Sequence, residues 1–227
     1  MPKIIGILPM AGSGERLGMP FPKPLTPVLD CGKIIPVYRI ALRNLRTITT
    51  DVHGLIRPED ECFFKNVTDI KFHTVESSSA ADTIRQAGLM GIQADVVAMA
   101  LPDTVWTSAF NAFVDALGVH YLYDADITLL LTRHDEIDLD KRTMDTVSGR
   151  MDVRTVVVYD KKELKLGDNG WFAFLASPEF LSTWNSKESW ATNINTANSI
   201  AVSHSGVSVF DIGTPERYKK LWKTRLC

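Results

Sequence analysis

The chain of 227 residues has few of the features of a secreted, membrane or metal-cluster protein. Its three cysteines, Cys31, Cys62 and Cys227, are an odd number without metal-ligand spacing, and no Cys-x-x-Cys pair occurs. No run of about 18 apolar residues is available for a transmembrane helix. An apolar run follows Met1-Pro2-Lys3 directly, which leaves no room for a signal peptide. We therefore expect reduced thiols and a cytoplasmic protein.

The sequence also lacks a strong charge of either sign. Its formal net charge is −2, so neither a nucleic acid nor an anionic membrane is expected as a partner. With 45% hydrophobic residues the chain can form one sizeable core. No internal repeat or linker divides it, and we predict a single domain over residues 1–227.

Several common catalytic patterns are missing as well. The sequence has no G-x-S-x-G elbow, which argues against a serine hydrolase. Its histidines show no paired spacing, which argues against a zinc site or a histidine nucleophile. They are His53, His73, His120, His134 and His204.

What the sequence does contain is a short apolar run followed by a glycine-rich loop. Residues 4–8 have the length of a buried strand, and Pro9 ends it. Gly12, Gly14 and Gly18 follow. Because glycine has no Cβ, successive backbone amides in such a loop can surround an anion. The loop is therefore predicted to bind phosphate.

Two cations follow the glycines and can point back at a bound phosphate. Arg16 lies inside the loop, and Lys23 lies between two prolines that restrict the backbone. The loop is not a dinucleotide-binding fingerprint, because Leu17 stands where that pattern has a third glycine or alanine. It is not a Walker A loop either, since Gly-Lys-Ser/Thr is absent.

Beyond the loop, segments with strand and helix patterns alternate. This alternation predicts an α/β protein with one Rossmann-like, mainly parallel sheet and helices on both faces. Ligands of such sheets bind beyond the carboxyl ends of the strands. A serine at 77, 78 or 79 is expected to cap one helix. The predicted strands are 4–8, 52–56, 70–75, 95–101, 127–132 and 155–159, and the predicted helices are 33–45, 59–65, 80–90 and 108–117.

Two aspartates lie where strands are predicted to end. Asp103 follows a buried apolar strand, and Asp211 follows an alternating one. Carboxylates in such positions suit Mg²⁺, which prefers one or two of them together with phosphate oxygens. Asp103 followed by Thr104 is also a helix N-cap signal, and this alternative stays open. After Asp211, Thr214 is predicted to cap a helix that starts at Pro215.

Three segments together resemble the signature of nucleotidyltransferases that couple a nucleoside triphosphate to a sugar 1-phosphate. They are residues 10–25, with MAGSGERLG and PKPL, residues 101–104, and the DIGTPE run at 211–216. The resemblance implies Mg²⁺ on Asp103 and Asp211. It also implies that Arg16 and Lys23 are catalytic. The triphosphate is then expected to contact Pro9, Met10, Ala11, Gly12, Ser13 and Gly14.

The same resemblance implies where the nucleobase would bind. Residues Glu76, Ser79 and Ala80 fall on the loop that reads the base in this family. Ala80 stands where the family usually has glycine, and its methyl group would narrow the pocket. We expect a pyrimidine nucleotide.

The acceptor is expected to bind in a second part of the domain, about residues 131–205, beside a nucleotide-binding part of about residues 1–130. The resemblance points to Asp160 and to Lys161 or Lys162 for the acceptor phosphate, with Lys161 better aligned. The proline that usually follows this lysine is missing, so a solvated charge run remains an alternative. Gly170 and Trp171 are expected on the sugar side, although Trp171 could equally be a core residue.

The resemblance thus implies a nucleotidyltransferase that makes a nucleotide sugar and releases pyrophosphate, with Mg²⁺ as cofactor. Enzymes of this family often form homo-oligomers, and the resemblance allows the same for this chain. One alternative is a cytidylyltransferase for a non-sugar phosphate, because the seven-residue step from Arg16 to Lys23 also occurs there. Another is a non-catalytic nucleotide-binding protein. Intact Lys23, Asp103 and Asp211 argue against that second alternative.

Overall fold

A computed structural model describes residues 2–12, 14–89, 93–106, 111–133, 146–148, 156–160, 169–207 and 209–222. Within them the strands are β1 (Ile4–Pro9), β2 (Pro27–Asp30), β3 (Lys33–Pro36), β4 (Val52–Ile56), β5 (Lys71–Thr74), β6 (Val96–Ala100), β7 (Thr104–Trp106), β8 (Ile127–Arg133), β9 (Thr146–Ser148), β10 (Val157–Tyr159), β11 (Asn169–Ala176), β12 (Ile200–His204) and β13 (Val209–Asp211). The helices are α1 (Tyr38–Leu45), α2 (Glu61–Phe64), α3 (Ala80–Leu89), α4 (Ala112–Leu122), α5 (Pro178–Ser182), α6 (Trp190–Ile194) and α7 (Pro215–Leu221).

One mixed sheet runs through the molecule in the order β12-β8-β11-β6-β1-β4-β5, with β9 and β10 beside the start of β11. Parallel pairs join β5 to β4, β4 to β1, and β1 to β6. Strand β11 is antiparallel to both β6 and β8, and β12 is parallel to β8. Six of the seven strands in that order therefore run in one direction, and the predicted α/β class with a mainly parallel sheet is confirmed.

The sheet is covered on both faces, which explains its almost wholly apolar central strands. All five residues of β6 are buried. Helices α1 and α4 pack one side, with Tyr38 and Phe113 in that core, and helices α3, α5 and α6 pack the other, with Ile84 and Leu181. No helix in the described part of the chain is both long and apolar enough to cross a membrane.

The helix predicted over residues 33–45 is wrong at its start. Strands β2 and β3 form an antiparallel hairpin there, and α1 begins only at Tyr38. The turn between the strands is Cys31-Gly32, whose φ values of 44° and 77° are typical of a two-residue hairpin turn. Pro36 ends β3, and a proline at that place could not lie within a regular helix.

The other predicted elements agree with the structure apart from their ends. The helix predicted over 108–117 begins in the described residues at Ala112 and continues to Leu122. Residues 107–110, Met90 and Thr155 lie outside the described ranges. The sequence did not predict β7, β9, β12, α5 or α6.

Three histidines are held in surroundings that favour the neutral ring. His120 lies in α4 with its side chain buried, its Nδ1 lies 3.0 Å from Thr128 Oγ1, and burial lowers its pKa below 6.5. Burial also lowers the pKa of His53 and of His73, whose rings stack with centroids 5.0 Å apart. Near and below pH 6.5, these histidines bind protons more readily in the unfolded chain than in the folded one. The free energy of unfolding therefore falls as the pH falls.

We predict that acidification from pH 7 to pH 5 lowers the melting temperature, and that His120→Asn makes this fall shallower. Each histidine that stays neutral contributes up to roughly 1.4 kcal/mol per pH unit. Thermal unfolding followed by circular dichroism at both pH values measures the difference. His204→Asn is the control, because His204 is exposed at the end of β12. Equal slopes in wild type and His120→Asn would contradict the assignment.

Candidate active site

A cleft of about 730 Å³ opens at the carboxyl ends of β1 and β6. The parts of the chain that meet there include the glycine loop, the loop before α3, the residues after β6 and the start of α6. The described residues that line it are Pro9, Met10, Ala11, Gly12, Gly14, Arg16, Lys23, Pro24, Arg57, Ser77, Ser78, Ser79, Ala80, Thr83, Leu101, Pro102, Asp103, Trp190 and Gly213.

The glycine loop presents amide groups to this cleft. The backbone N–H of Met10 donates to the carbonyl of Leu55 and fixes the end of β1 (2.8 Å). The N–H groups of Ala11, Gly12 and Gly14 donate no hydrogen bond within the described residues. Gly14 has φ +66°, a conformation that glycine adopts without strain. These amides are therefore available to an anion, and phosphate binding by the loop stays a prediction.

Lys23 lies between two carboxylates. Its Nζ binds Asp103 Oδ2 and lies 3.5 Å from Asp211 Oδ1. Only 12% of the Lys23 side chain is exposed. Burial alone would lower its pKa, but attraction by Asp103 and Asp211 and the hydrogen bond to Asp103 outweigh burial, so the pKa lies above 10.5. Lys23 is a fixed positive charge at the mouth of the glycine loop.

The second carboxylate partner is brought to the first by a two-stranded ribbon. Asp103 immediately precedes β7, and β7 pairs with β13 so that Thr104 lies opposite Asp211. The interpretation of Asp103 as the cap of a following helix is wrong, because a strand follows it. The carbonyl of Asp103 accepts a hydrogen bond from the N–H of Ile212 (3.4 Å).

Asp211 is held in place by its own loop and by α7. The Gly213 N–H donates to its Oδ1 (2.8 Å), and the Arg217 guanidinium donates to its Oδ2 (2.5 Å). A Cβ on Gly213 would lie 3.0 Å from both carboxylate oxygens. The predicted cap of α7 is confirmed, since Thr214 Oγ1 accepts from the Arg217 N–H (3.4 Å). The role of Arg217 was not predicted, although its place in the first turn of the helix after Asp211 was a usable signal in the sequence.

Arg16 lies in a 3₁₀ turn, Glu15–Leu17, on the rim of the cleft. Its side chain is exposed, and its charge slightly opposes the rise in the pKa of Lys23. Arg16 and Lys23 thus act on the same space. Ser13 lies outside the described residues.

The hydroxyl group of Ser79 fixes the loop before α3. Ser79 caps the helix, accepting from the Asp82 N–H (3.1 Å) and donating to the carbonyl of Ser186 (2.7 Å). Ala80 and Ser79 line the cleft. Glu76 is exposed and does not belong to the lining residues, and its carbonyl accepts from the Gln86 side chain (2.8 Å).

The described residues that were predicted to bind the acceptor do not line the cleft. Gly170 and Trp171 lie in β11, and Trp171 is 4% exposed, so its side chain belongs to the core and not to the cleft wall. Asp160 is half-buried after β10 and is not a lining residue. Lys161 and Lys162 lie outside the described residues.

Two lining residues carried no signal in the sequence. Arg57 follows β4 and binds Asp60 through two guanidinium nitrogens, at 2.8 and 3.1 Å. Trp190 starts α6 and is half-buried. Neither residue lies in a motif, so only the fold places them in the cleft.

The carboxylate pair suits a hard divalent cation. Both carboxylates already approach one nitrogen, so oxygens of both can reach one cation in that space. No group of three or more histidine, cysteine, aspartate or glutamate side chains suited to a metal occurs in the described residues. Mg²⁺ is commonly bound by one or two carboxylates with phosphate oxygens and water. The donor set therefore fits Mg²⁺ arriving with a phosphate ligand.

Neither a protein-family model nor a curated protein matches the sequence. Its structure, in contrast, is similar to solved nucleotidyltransferases over nearly the whole chain. A candidate glucose-1-phosphate thymidylyltransferase from Bacillus anthracis, solved with a sucrose, has a TM-score of 0.76 at 14% identity and covers 96% of this chain and 93% of that chain. The inositol-1-phosphate CTP transferase from T. maritima has a TM-score of 0.70 at 14% identity and covers 96% and 95%. UTP-bound UGPase from Acinetobacter baumannii has a TM-score of 0.72 at 12% identity and covers 97% and 92%.

This chain has the nucleotidyltransferase fold. The fold expected from the resemblance is thereby confirmed. In this nucleotidyltransferase fold, three segments far apart in sequence supply Lys23, Asp103 and Asp211 to one point of the cleft.

We predict that Gly14→Ala weakens binding of inorganic triphosphate roughly tenfold, the order of one lost charge-assisted hydrogen bond. An added Cβ would lie 3.1 Å from Lys23 Cβ and push that side chain away. Gly206→Ala is a matched control, because Gly206 has φ +61° and no atom within 4 Å of an added Cβ. Both variants should lose about 1 kcal/mol of stability from backbone strain. Isothermal titration calorimetry measures the binding, and an equal loss in both variants would contradict the prediction.

Proposed function

We propose that this protein is a Mg²⁺-dependent nucleotidyltransferase. It joins a nucleoside triphosphate to a phosphorylated small molecule, with a sugar 1-phosphate as the first candidate, and releases pyrophosphate. The observation that carries the proposal is the position of Lys23, which lies between Asp103 and Asp211 beside glycine-loop amides that have no partner among the described residues. This arrangement is suited to holding and neutralising a polyphosphate.

The reaction brings two anions together, so charge compensation is the main task of the site. Unit charges about 4 Å apart interact by roughly 4 kcal/mol at an effective dielectric constant near 20. The amides of Ala11, Gly12 and Gly14 bind phosphate oxygens, and Arg16 adds positive charge at the rim. Lys23 meets the charge on the α-phosphate. Groups fixed in advance in this way stabilise the transition state without reorganising.

Asp103 and Asp211 are the residues that would hold Mg²⁺. The ion supplies charge neutralisation on the reacting phosphates when it is bound. Gly213 and Arg217 keep Asp211 in position for that role.

The acceptor needs no dedicated base, because a phosphate monoester is already a dianion near neutral pH. One of its oxygens attacks the α-phosphorus of the triphosphate in line. The new bond joins that oxygen to the α-phosphorus, and the bond from the α-phosphorus to the bridging oxygen of the β-phosphate breaks. The electron pair leaves with pyrophosphate.

The choice of acceptor has two candidates. The DIGTPE run at 211–216 favours a sugar 1-phosphate. A polyol phosphate with a cytidine nucleotide is the second candidate, and the likeness to the inositol-1-phosphate CTP transferase supports it. A binding protein without catalysis is less well supported, because the lysine and both aspartates are present and in contact.

We predict that Lys23→Met and Asp211→Asn each lower turnover by a factor of order 10² or more, as removal of one stabilising group commonly does. The assay is pyrophosphate release from each of the five common triphosphates with a set of sugar and polyol phosphates. Lys71→Met is the control, because Lys71 is an exposed lysine paired with Asp51 outside the cleft. Thermal unfolding checks that each variant stays folded. If Asp211→Asn keeps near wild-type turnover at saturating Mg²⁺, its assignment as a metal ligand is wrong.

A further inference from the structure

Trp190 is the one aromatic residue among the described residues that line the cleft. It is half-buried, and its ring stacks on Trp171 with centroids 5.1 Å apart and an angle of 22° between the planes. Trp184 and Phe174 pack edge to face against it, with ring centroids 6.0 and 6.4 Å from that of Trp190. Trp171 and the two edge partners hold the indole in one plane while part of it faces the cleft.

The backbone that carries Trp190 is also fixed. The buried side chain of Asn193 donates to the carbonyls of Asn185 and Ser189, at 3.0 and 2.9 Å, and accepts from the Asn185 N–H at 2.6 Å. Ser79 ties the same segment to the loop before α3 through Ser186. Because the indole is held before any ligand arrives, stacking on it costs little side-chain entropy.

The sheet order decides which ligand lies beside this indole. Strand β6, whose end at Ala100 is followed by Asp103, has β1 with its phosphate loop on one side and β11 with Trp171 on the other. The Leu101 N–H donates to the carbonyl of Phe172, so the part of β11 that contains Trp171 lies directly beside the end of β6. Trp190, stacked on Trp171, therefore lies across Asp103 from the phosphate loop. The phosphate loop takes the β1 side, so the second substrate would approach from the β11 side.

Building on the proposed function, we propose that Trp190 is the platform of the acceptor site and that the acceptor is a cyclic phosphate, a sugar or cyclitol phosphate. The C–H face of its ring lies on the indole. A quaternary ammonium acceptor such as choline phosphate fits less well, because sites for such cations use several aromatic side chains and the described lining has one. A nucleobase on Trp190 is the alternative, because Ser79 joins the Trp190 segment to the loop that is expected to read the base. The position of Trp190 on the β11 side of Asp103 favours the acceptor, and KM for the triphosphate distinguishes the two.

The first test is steady-state kinetics with the triphosphate that supports the highest rate of pyrophosphate release. Glucose 1-phosphate and inositol 1-phosphate are the cyclic probes, and glycerol 3-phosphate and choline phosphate are the acyclic ones. Trp190→Ala should raise KM for the preferred cyclic phosphate about tenfold, the usual order for removing a stacking partner. Because the indole of Trp190 takes no part in the reaction, kcat should stay within about twofold of wild type and KM for the triphosphate should not change. Trp190→Phe should recover most of the loss.

The control variant is Trp222→Phe, since Trp222 is exposed beyond α7 and does not line the cleft. It should match wild type in every parameter. A rise in KM for the triphosphate instead of the acceptor, or a wild-type preference for an acyclic phosphate, would overturn the proposal. A loss confined to kcat would overturn it too.

Equilibrium fluorescence separates this proposal from the proposed function. A cyclic phosphate should quench the tryptophan emission of wild type and of Trp222→Phe, and should quench Trp190→Phe much less. Absence of pyrophosphate release from wild type with every pair of substrates would reject the transferase reaction. Quenching that depends on Trp190 would still support the ring platform in that case, and its absence would reject the platform.

Discussion

The contact of one buried ammonium group with two carboxylates is the constraint on which the rest of this molecule depends. A lysine as buried as Lys23 is costly unless its charge is paired, and the same holds for the carboxylates around it. Asp103 and Asp211 satisfy this requirement together, and neither is its close neighbour in sequence. The cluster therefore forms only when the whole fold has formed, and the fold places it at the opening of the phosphate loop.

The parallel strands and the β7–β13 ribbon each position part of this cluster. Strands β1 and β6 are neighbours, so their carboxyl ends bring the glycine loop and Asp103 to the same edge of the sheet. The β7–β13 ribbon then carries Asp211 back across the chain to Asp103. Gly14 permits the backbone of the loop to pass close to Lys23, and Gly213 permits the same at Asp211. Small residues are thus required where charged side chains must lie close to the backbone.

The sequence predicted the parts of this arrangement that depend on local chemistry. The glycine loop, Lys23 and the run after Asp211 are contiguous motifs, and buried strands such as β6 are apolar throughout. The sequence could not predict the ribbon, because β7 has three residues and its pairing with β13 is entirely long-range. The hairpin of β2 and β3 was missed for a different reason: cysteine is uncommon at a positive φ, so Cys31-Gly32 gave no turn signal in the sequence. Trp190 carries no local signal, and its place in the cleft follows only from its stacking on Trp171.

The most direct test of the account is a thermal-shift series with CTP, UTP, dTTP, GTP and ATP, each measured with Mg²⁺ and with a chelator. A ligand that binds the native state raises its melting temperature by mass action. The account predicts that at least one triphosphate stabilises the wild type strongly with Mg²⁺ and weakly without it, and that Asp103→Asn removes the difference. If no triphosphate shifts the melting temperature, or if the shift is the same with the chelator, the Lys23 cluster is not a metal–nucleotide site.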